Sequence, residues 1–370
     1  MKKISDVIKT WANDKSGPVA LYLKQRLLPV GEENIVYPPT YADIGYNIDT
    51  LSDGTKVALI DSIGSQANRM EPIFKREPYS GLVPAVEIEL RNGKNISLLD
   101  LAHRSADATV QASPKLAEIV NPAFDALRKN NNAARLCEVA PTSLVFGFWD
   151  SRGDSKQKRP RLVRSIIRAW DVEVLHAAAQ FNSIWKELDE GQQNVLKDKK
   201  SREKDKRSSV GLADAPSVFR TDKLKNIVGT SFNPEARVLG GVRVNGVIER
   251  HVTINLVALR SLGGNDEEDA KLVRQYLLTL TLIAATAEMD LYLREGCLLK
   301  LVDEKDTWLE IPRRGDPKEC GINSASSEDQ DALLQYARNV VKRFKEKWPK
   351  NQKPFKFDVV EAKKLLNKRK

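Results

Sequence analysis

A chain of 370 residues can bury a substantial core in one to three domains, and its apolar fraction of 41% is that of an ordinary folded protein. Lys and Arg outnumber Asp and Glu by 60 to 50, a net charge of +10 that favours a polyanionic partner. Cys137, Cys297 and Cys320 are far apart and odd in number, which gives neither a CxxC zinc site nor a disulfide framework, so they read as reduced thiols.

The N-terminus has lysines but no long apolar core behind them, unlike a secretory signal. The most apolar stretch, Tyr276 to Ala287, is interrupted by threonines and too short to span a bilayer. A soluble, cytoplasmic protein without a membrane partner is therefore expected.

Val19 to Leu28 alternates, with Val19, Leu21 and Leu23 on one face and Tyr22, Lys24 and Arg26 on the other, which predicts a half-buried strand. Residues 38–54 read as an ordered loop or hairpin. A buried strand over 57–61 then leads into a helix over 62–71. This strand-to-helix turn carries Ser65, Gln66, Asn68 and Arg69 where backbone amides and neutral polar groups can receive an anion.

A strand is predicted over 83–90 and an amphipathic helix over 97–111. A second helix over 114–129 should break or kink near Pro122. Ser143 to Trp149 reads as a buried strand, with Phe146, Phe148, Trp149 and Trp170 expected in the core. Arg161 to Val174 is a long arginine-rich strand. Residues 242–259 read as two strands around Asn245-Gly246, a strong hairpin signal. A long helix over 267–288, a strand over 291–302 and a capped amphipathic helix from Ser327 to near Lys347 complete the chain. Strands and helices alternate irregularly, which argues for α+β over a doubly wound fold.

Three polar constellations stand out. The first is the cluster at residues 65–69. In the second, His103-Arg104-Ser105-Ala106-Asp107, His103 and Asp107 would be i,i+4 neighbours on a helix, and Arg104 a phosphate donor. His176 and His251 are too few additional ligands for a metal site, so neither metal nor cofactor is expected. The third comprises Lys156, Lys158, Arg159, Arg161, Arg164 and Arg168. Arg164 and Arg168 are an even number apart, so on a strand they share a face, where guanidiniums can follow a phosphate backbone. From residue types alone that face could equally be a solvated sheet surface. The run 197–207, with seven bases and three acids, reads as an exposed insertion.

These motifs occur in an order that resembles a known family. Asp61-Ser62-x-x-Ser65-Gln66-Ala67-Asn68-Arg69, then His103-Arg104-x-x-Asp107-Ala108, then Pro141-Thr142-Ser143-Leu144-x-Phe146-Gly147-x-Trp149-Asp150-Ser151 is similar to the type I-U (also called I-G) CRISPR-associated backbone subunit. Pro38-Pro39-Thr40-Tyr41 and Leu256-x-Ala258-Leu259-Arg260 fit as well, so the resemblance runs from about residue 20 to residue 300.

The resemblance implies a RAMP-superfamily protein: one domain over 1–370 with a modified RNA-recognition-motif (ferredoxin-like) core. It would carry a helical insertion at 92–140, a thumb hairpin at 197–240 and a C-terminal helical extension at 325–370. It further implies copies stacked head-to-tail along a CRISPR guide RNA in a Cascade-type complex, with other Cascade subunits as neighbours and the target DNA strand reached through the guide. Such subunits are generally non-catalytic, with Ser65, Gln66, Asn68, Arg69, His103, Arg104, Lys158, Arg159, Arg161, Arg164 and Arg168 the expected RNA-binding residues here. The alternative is a RAMP-type endoribonuclease that processes the guide precursor, with His103 as general acid or base.

Overall fold

The protein is described by a computed structural model over residues 4–42, 44–91, 93–149, 158–176, 184–196, 212, 239–303, 305–320, 322–323, 325–349 and 353–367. Its centre is an antiparallel sheet of β1 (Ala20–Pro29), β2 (Ile48–Thr50), β3 (Lys56–Asp61), β4 (Val163–Trp170), β5 (Ile248–Asn255), β6 (Tyr292–Arg294), β7 (Cys297–Leu301), β8 (Trp308–Ile311) and β9 (Lys318–Glu319). Their order is β6-β7-β1-β5-β4-β3-β2, and β8, itself paired with β9, shares the outer edge of β1 with β7.

The helices that bear on the argument are α1 (Ile4–Asn13), α2 (Ile63–Met70), α3 (Pro114–Asn130), α4 (Ala134–Val139), α5 (Pro141–Phe146), α6 (Glu267–Thr286) and α7 (Ser327–Lys345). The chain enters β1, crosses through helices to β4, returns through β5, and crosses through α6 to β7. The resulting spatial order β7-β1-β5-β4 is that of two interlocked split βαβ units, the ferredoxin-like arrangement. The fold is α+β.

Alternation sets which face is buried. Leu21, Leu23 and Leu27 of β1, Ile248, Val252 and Ile254 of β5, and Val163, Ile167 and Ala169 of β4 all point to one side and pack in two clusters. The larger cluster includes the buried sides of α1, α3 and α6. Burial of each such aliphatic side chain contributes about 1.5–3 kcal/mol. Helix α7 packs on α6, with the Tyr276 and Phe344 rings stacked at 4.5 Å and the Tyr336 hydroxyl donating to Gln275 at 2.8 Å. Phe355–Lys356 adds a parallel strand to Glu87–Glu89.

Several local expectations are corrected. The Asn245-Gly246 turn does not close a hairpin: Leu239–Val244 pairs with Val172–His176, whereas β5 pairs with β1 and β4. Residues 163–176 and 239–255 therefore form one antiparallel ribbon that bends at Asp171 (φ 54°) and at residues 245–247. The Trp170 amide donates to the Val247 carbonyl and the Asn245 amide to the Asp171 carbonyl, so pairing continues through the bend. Gly246 is needed because a Cβ would stand 2.6 Å from the Trp170 carbonyl oxygen.

Residues 97–111 are not one helix but two short 3-10 turns and the single turn Ala108–Gln111. Arg104 adopts φ 54°, and Asp107 caps the turn by accepting from the Thr109 amide. Pro141–Phe146 is helical where a strand was expected, because a run buried on every side carries no periodicity to separate the two. Helix α3 runs unbroken through Pro122, whose missing amide falls on the solvent side. The 291–302 strand is a tight β6–β7 hairpin turning at Gly296.

Candidate nucleic-acid interface

The face of the sheet turned away from the two apolar clusters has a different chemistry. Register places Tyr22, Thr253 and Arg164 in one row, Lys24, His251 and Ile166 in the next, and Arg26, Glu249 and Arg168 in a third. Lys24, Arg26 and Arg164 are exposed and Arg168 is half-buried; in these rows only Ile166 is buried. Four cations thus face one carboxylate.

Glu249 is already engaged, 3.3 Å from the Lys24 ammonium and 2.9 Å from His251 Nε2, while His251 Nδ1 meets the Tyr22 hydroxyl at 2.6 Å. Arg26, Arg164 and Arg168 make no side-chain hydrogen bond or ion pair among the described residues. Unpartnered guanidiniums on a rigid sheet are available to phosphate oxygens. At about 3.3 Å per residue, Arg164 and Arg168 stand roughly 13 Å apart along the strand.

A separate two-stranded ribbon precedes β4 in the chain and carries further cations. Lys158–Arg159 pairs with Phe148–Trp149, and Arg161 is exposed. The Arg161 guanidinium is drawn below the usual arginine range, first by its partly enclosed setting and then by the charge of Arg104. Arg159 is tied down, donating to Asn131 Oδ1 at 2.5 Å and to the Leu127 carbonyl at 3.4 Å. His103 is exposed, and its expected side-chain pairing with Asp107 is replaced by a 3.3 Å bond from the His103 amide to the Asp107 carboxylate.

Two of the expected RNA-contacting residues lie inside the protein. Gln66 is fully buried; its amide nitrogen donates to Asp61 at 2.6 Å, and its oxygen accepts from Ser165 at 2.7 Å and from Arg250 at 3.3 Å. Arg104 is buried against Glu71 at 2.7 Å, donates to the Gly147 carbonyl at 3.3 Å, and lies 5.3 Å from the centre of the Phe146 ring. Burial pushes the Glu71 carboxyl up to about 7, against the pull of Arg104. Both residues are structural in this geometry, because their side chains are buried and bonded within the protein.

Arg69 is partly buried, bonded to Asp61 at 3.2 Å and to the Leu293 carbonyl at 2.6 Å. The Ser65 amide donates to the Ser62 hydroxyl that caps α2, and Asn68 is exposed. The motif at 65–69 therefore sits beside the covered face, and Arg164 and Arg168 sit on the open one. The structure does not bring them together.

Arg69 also lines a cleft of about 1050 Å³ with Arg76, Tyr292, Leu299 and Asp306, and its floor holds Arg250 and Gln25. Arg250 is 5% exposed. It donates to Ser165 at 3.0 Å, Gln25 at 2.8 Å and the Ala285 carbonyl at 3.2 Å, and lies 3.5 Å from Met70 Sδ. Burial lowers its pKa to about 10, with the Asp306 charge opposing, so it stays protonated at neutral pH. Gln25 relays that pairing by donating to both Asp306 oxygens, at 2.9 and 3.0 Å.

The sequence reading missed Tyr22, Lys24, Arg26, Glu249 and His251 as members of one surface. The alternation of β1 exposed the first three, but the register that adds β5 is a tertiary fact. Trp149, expected in the core, is 58% exposed, whereas Phe146 and Phe148 are buried as expected. Lys156, the motif residues Asp150 and Ser151, and all of the expected thumb at 197–240 except residues 212, 239 and 240 lie outside the described residues.

Among the described residues, no cluster of three or more His, Cys, Asp and Glu could hold a metal ion, and no helix is long and apolar enough to cross a membrane. Cys137 and Cys297 are buried free thiols and Cys320 is partly buried. Burial raises Cys137 well above the usual thiol range and pushes Cys297 and Cys320 up to about 11.

The fold and surface together define an α+β protein with a ferredoxin-like sheet, one face of which is packed and the other basic. Residues 21–174 match the family model described as CRISPR-associated protein GSU0053, which indicates a CRISPR-associated protein family and supports a CRISPR-related role. No curated protein matches the chain. The matched segment runs from β1 through β4 and includes all eleven residues expected to bind RNA.

Proposed function

We propose that the protein is a non-catalytic, guide-RNA-binding backbone subunit that polymerises along a CRISPR RNA in a type I Cascade-type complex, of the I-G subtype. The observation that carries this is the open sheet face, where Lys24, Arg26, Arg164 and Arg168 confront a single, already paired carboxylate. The four cations lie within a segment that matches a CRISPR-associated family, which supports the choice of polyanion. Cations that reach phosphates without reading base edges suit a guide of arbitrary sequence, since pairing with the target supplies the specificity.

The reading predicts that the protein co-expressed with a CRISPR array purifies with its guide, each copy covering a fixed number of nucleotides. Protein that purifies free of RNA and does not bind added guide at low salt would refute it. The endoribonuclease reading gains one observation, the Tyr22–His251–Glu249 chain of hydrogen bonds on the same face. Metal-free incubation with precursor RNA decides between them. Cleavage abolished by His251→Ala or His103→Ala would establish the enzyme, and intact precursor would support the binding subunit.

A further inference from the structure

We propose that the Trp149 indole is a stacking platform for a nucleobase of the bound single-stranded RNA, with Lys158 and Arg161 supplying charge for the adjoining phosphates. The proposal rests on the guide-RNA reading above and extends it from the phosphate chain to the bases.

Tryptophan is on average a highly buried residue, yet Trp149 is 58% exposed, the most exposed aromatic ring among the described residues. It is also held on a firm base. Trp149 lies in a short strand paired with Lys158, and the preceding Phe148 ring stacks on Phe124 at 4.8 Å within the core. The turn before it requires glycine, because at φ 76° a Cβ on Gly147 would stand 2.9 Å from the Arg159 carbonyl oxygen. The Gly147 carbonyl is held in turn by the buried Arg104. Helix α5, the glycine turn and the Glu71–Arg104 pair thus fix the point at which an indole leaves the core.

The chemistry around the ring selects the occupant. The Lys158 ammonium lies 5.9 Å from the indole centroid, and Arg161 follows three residues later. Neither makes an ion pair among the described residues. A docked apolar protein surface would have to strip water from both cations without compensation. A nucleotide offers a π face for the ring and an anion for the charges, and such stacking is sequence-tolerant because every base has a π face. Lys158–Arg159 is a short strand of its own, joined through residues 160–162 to the start of β4 at Val163, so in the chain the platform lies just ahead of Arg164 and Arg168.

The test is equilibrium binding of the full chain to a single-stranded RNA of guide length and to a matched abasic ribose-phosphate chain across a salt series. Trp149→Ala should weaken RNA binding about tenfold at an unchanged salt slope and leave the abasic chain unaffected. Trp149→Phe should restore most of the loss. Lys158→Ala should weaken both ligands and lower the salt slope by about 0.7. Trp149→Ala binding RNA like the parent, losing equally on the abasic chain, or altering self-association without RNA would each overturn the platform while leaving the guide-RNA reading intact. A parent protein that binds neither ligand would overturn both.

Discussion

The two faces of the central sheet use the same residue types to opposite ends. On the covered face Arg250 contacts Ser165, Gln66, Gln25, Met70 and the Ala285 carbonyl, and two apolar clusters flank this polar belt. On the open face Arg164 and Arg168, on the neighbouring strand, have no such partners. An arginine's meaning is thus set by how many of its donors the protein itself consumes. A saturated guanidinium holds elements together, and an unsaturated one is left for a ligand.

Substitutions on the covered side should sharpen that contrast most. Arg104→Ala leaves the Glu71 carboxylate buried without its partner and should cost about 3–5 kcal/mol in urea unfolding. A near-neutral result would show that the pair does not support the platform above it. Arg250→Ala takes one donor each from Gln66, Ser165 and Gln25, leaving Gln25 Oε1 without its donor, and should cost about 3 kcal/mol in the same measurement. If it stayed as stable as the parent and lost only RNA binding, the assignment of the two faces would be reversed.

On the open side the expected changes are in binding, not folding. The double substitution Arg164→Ala with Arg168→Ala should alter stability by no more than about 0.5 kcal/mol. The dependence of RNA affinity on log salt should become shallower by about 1.4 for the two lost phosphate contacts. An unchanged slope would remove that face from the interface.

The smallest effect concerns pH. The buried Glu71 carboxyl is raised to about 7, so the folded state binds its proton more tightly than the unfolded chain does. Its contribution is fully present below the unfolded carboxylate pKa and is lost as pH rises through about 7. Urea midpoints should therefore fall over that window, and Glu71→Gln should flatten the trend.

Much of this was legible from one strand at a time. Alternation through Leu21 and Leu23 gave the inner face of β1, and the strand over 57–61 leading into a helix over 62–71 anticipated β3 and α2. Even spacing put Arg164 and Arg168 on one face of β4. Other features were not legible because the deciding contact is distant in sequence. Arg104 reads as a surface cation until Glu71, 33 residues away, is placed against it. Asn245-Gly246 has hairpin chemistry, yet each flanking strand finds a better partner in another segment.

The sequence by itself determined the α+β class, the basic balance and the period-two pattern of the central strands, because these depend on composition and near neighbours. Only the tertiary structure decided which cations remain free. Whether Gln66, Arg69, Arg104, Arg164 or Trp149 meets protein or solvent depends on register and packing between segments tens to hundreds of residues apart. That information resides in the pairing of elements and not in any one of them.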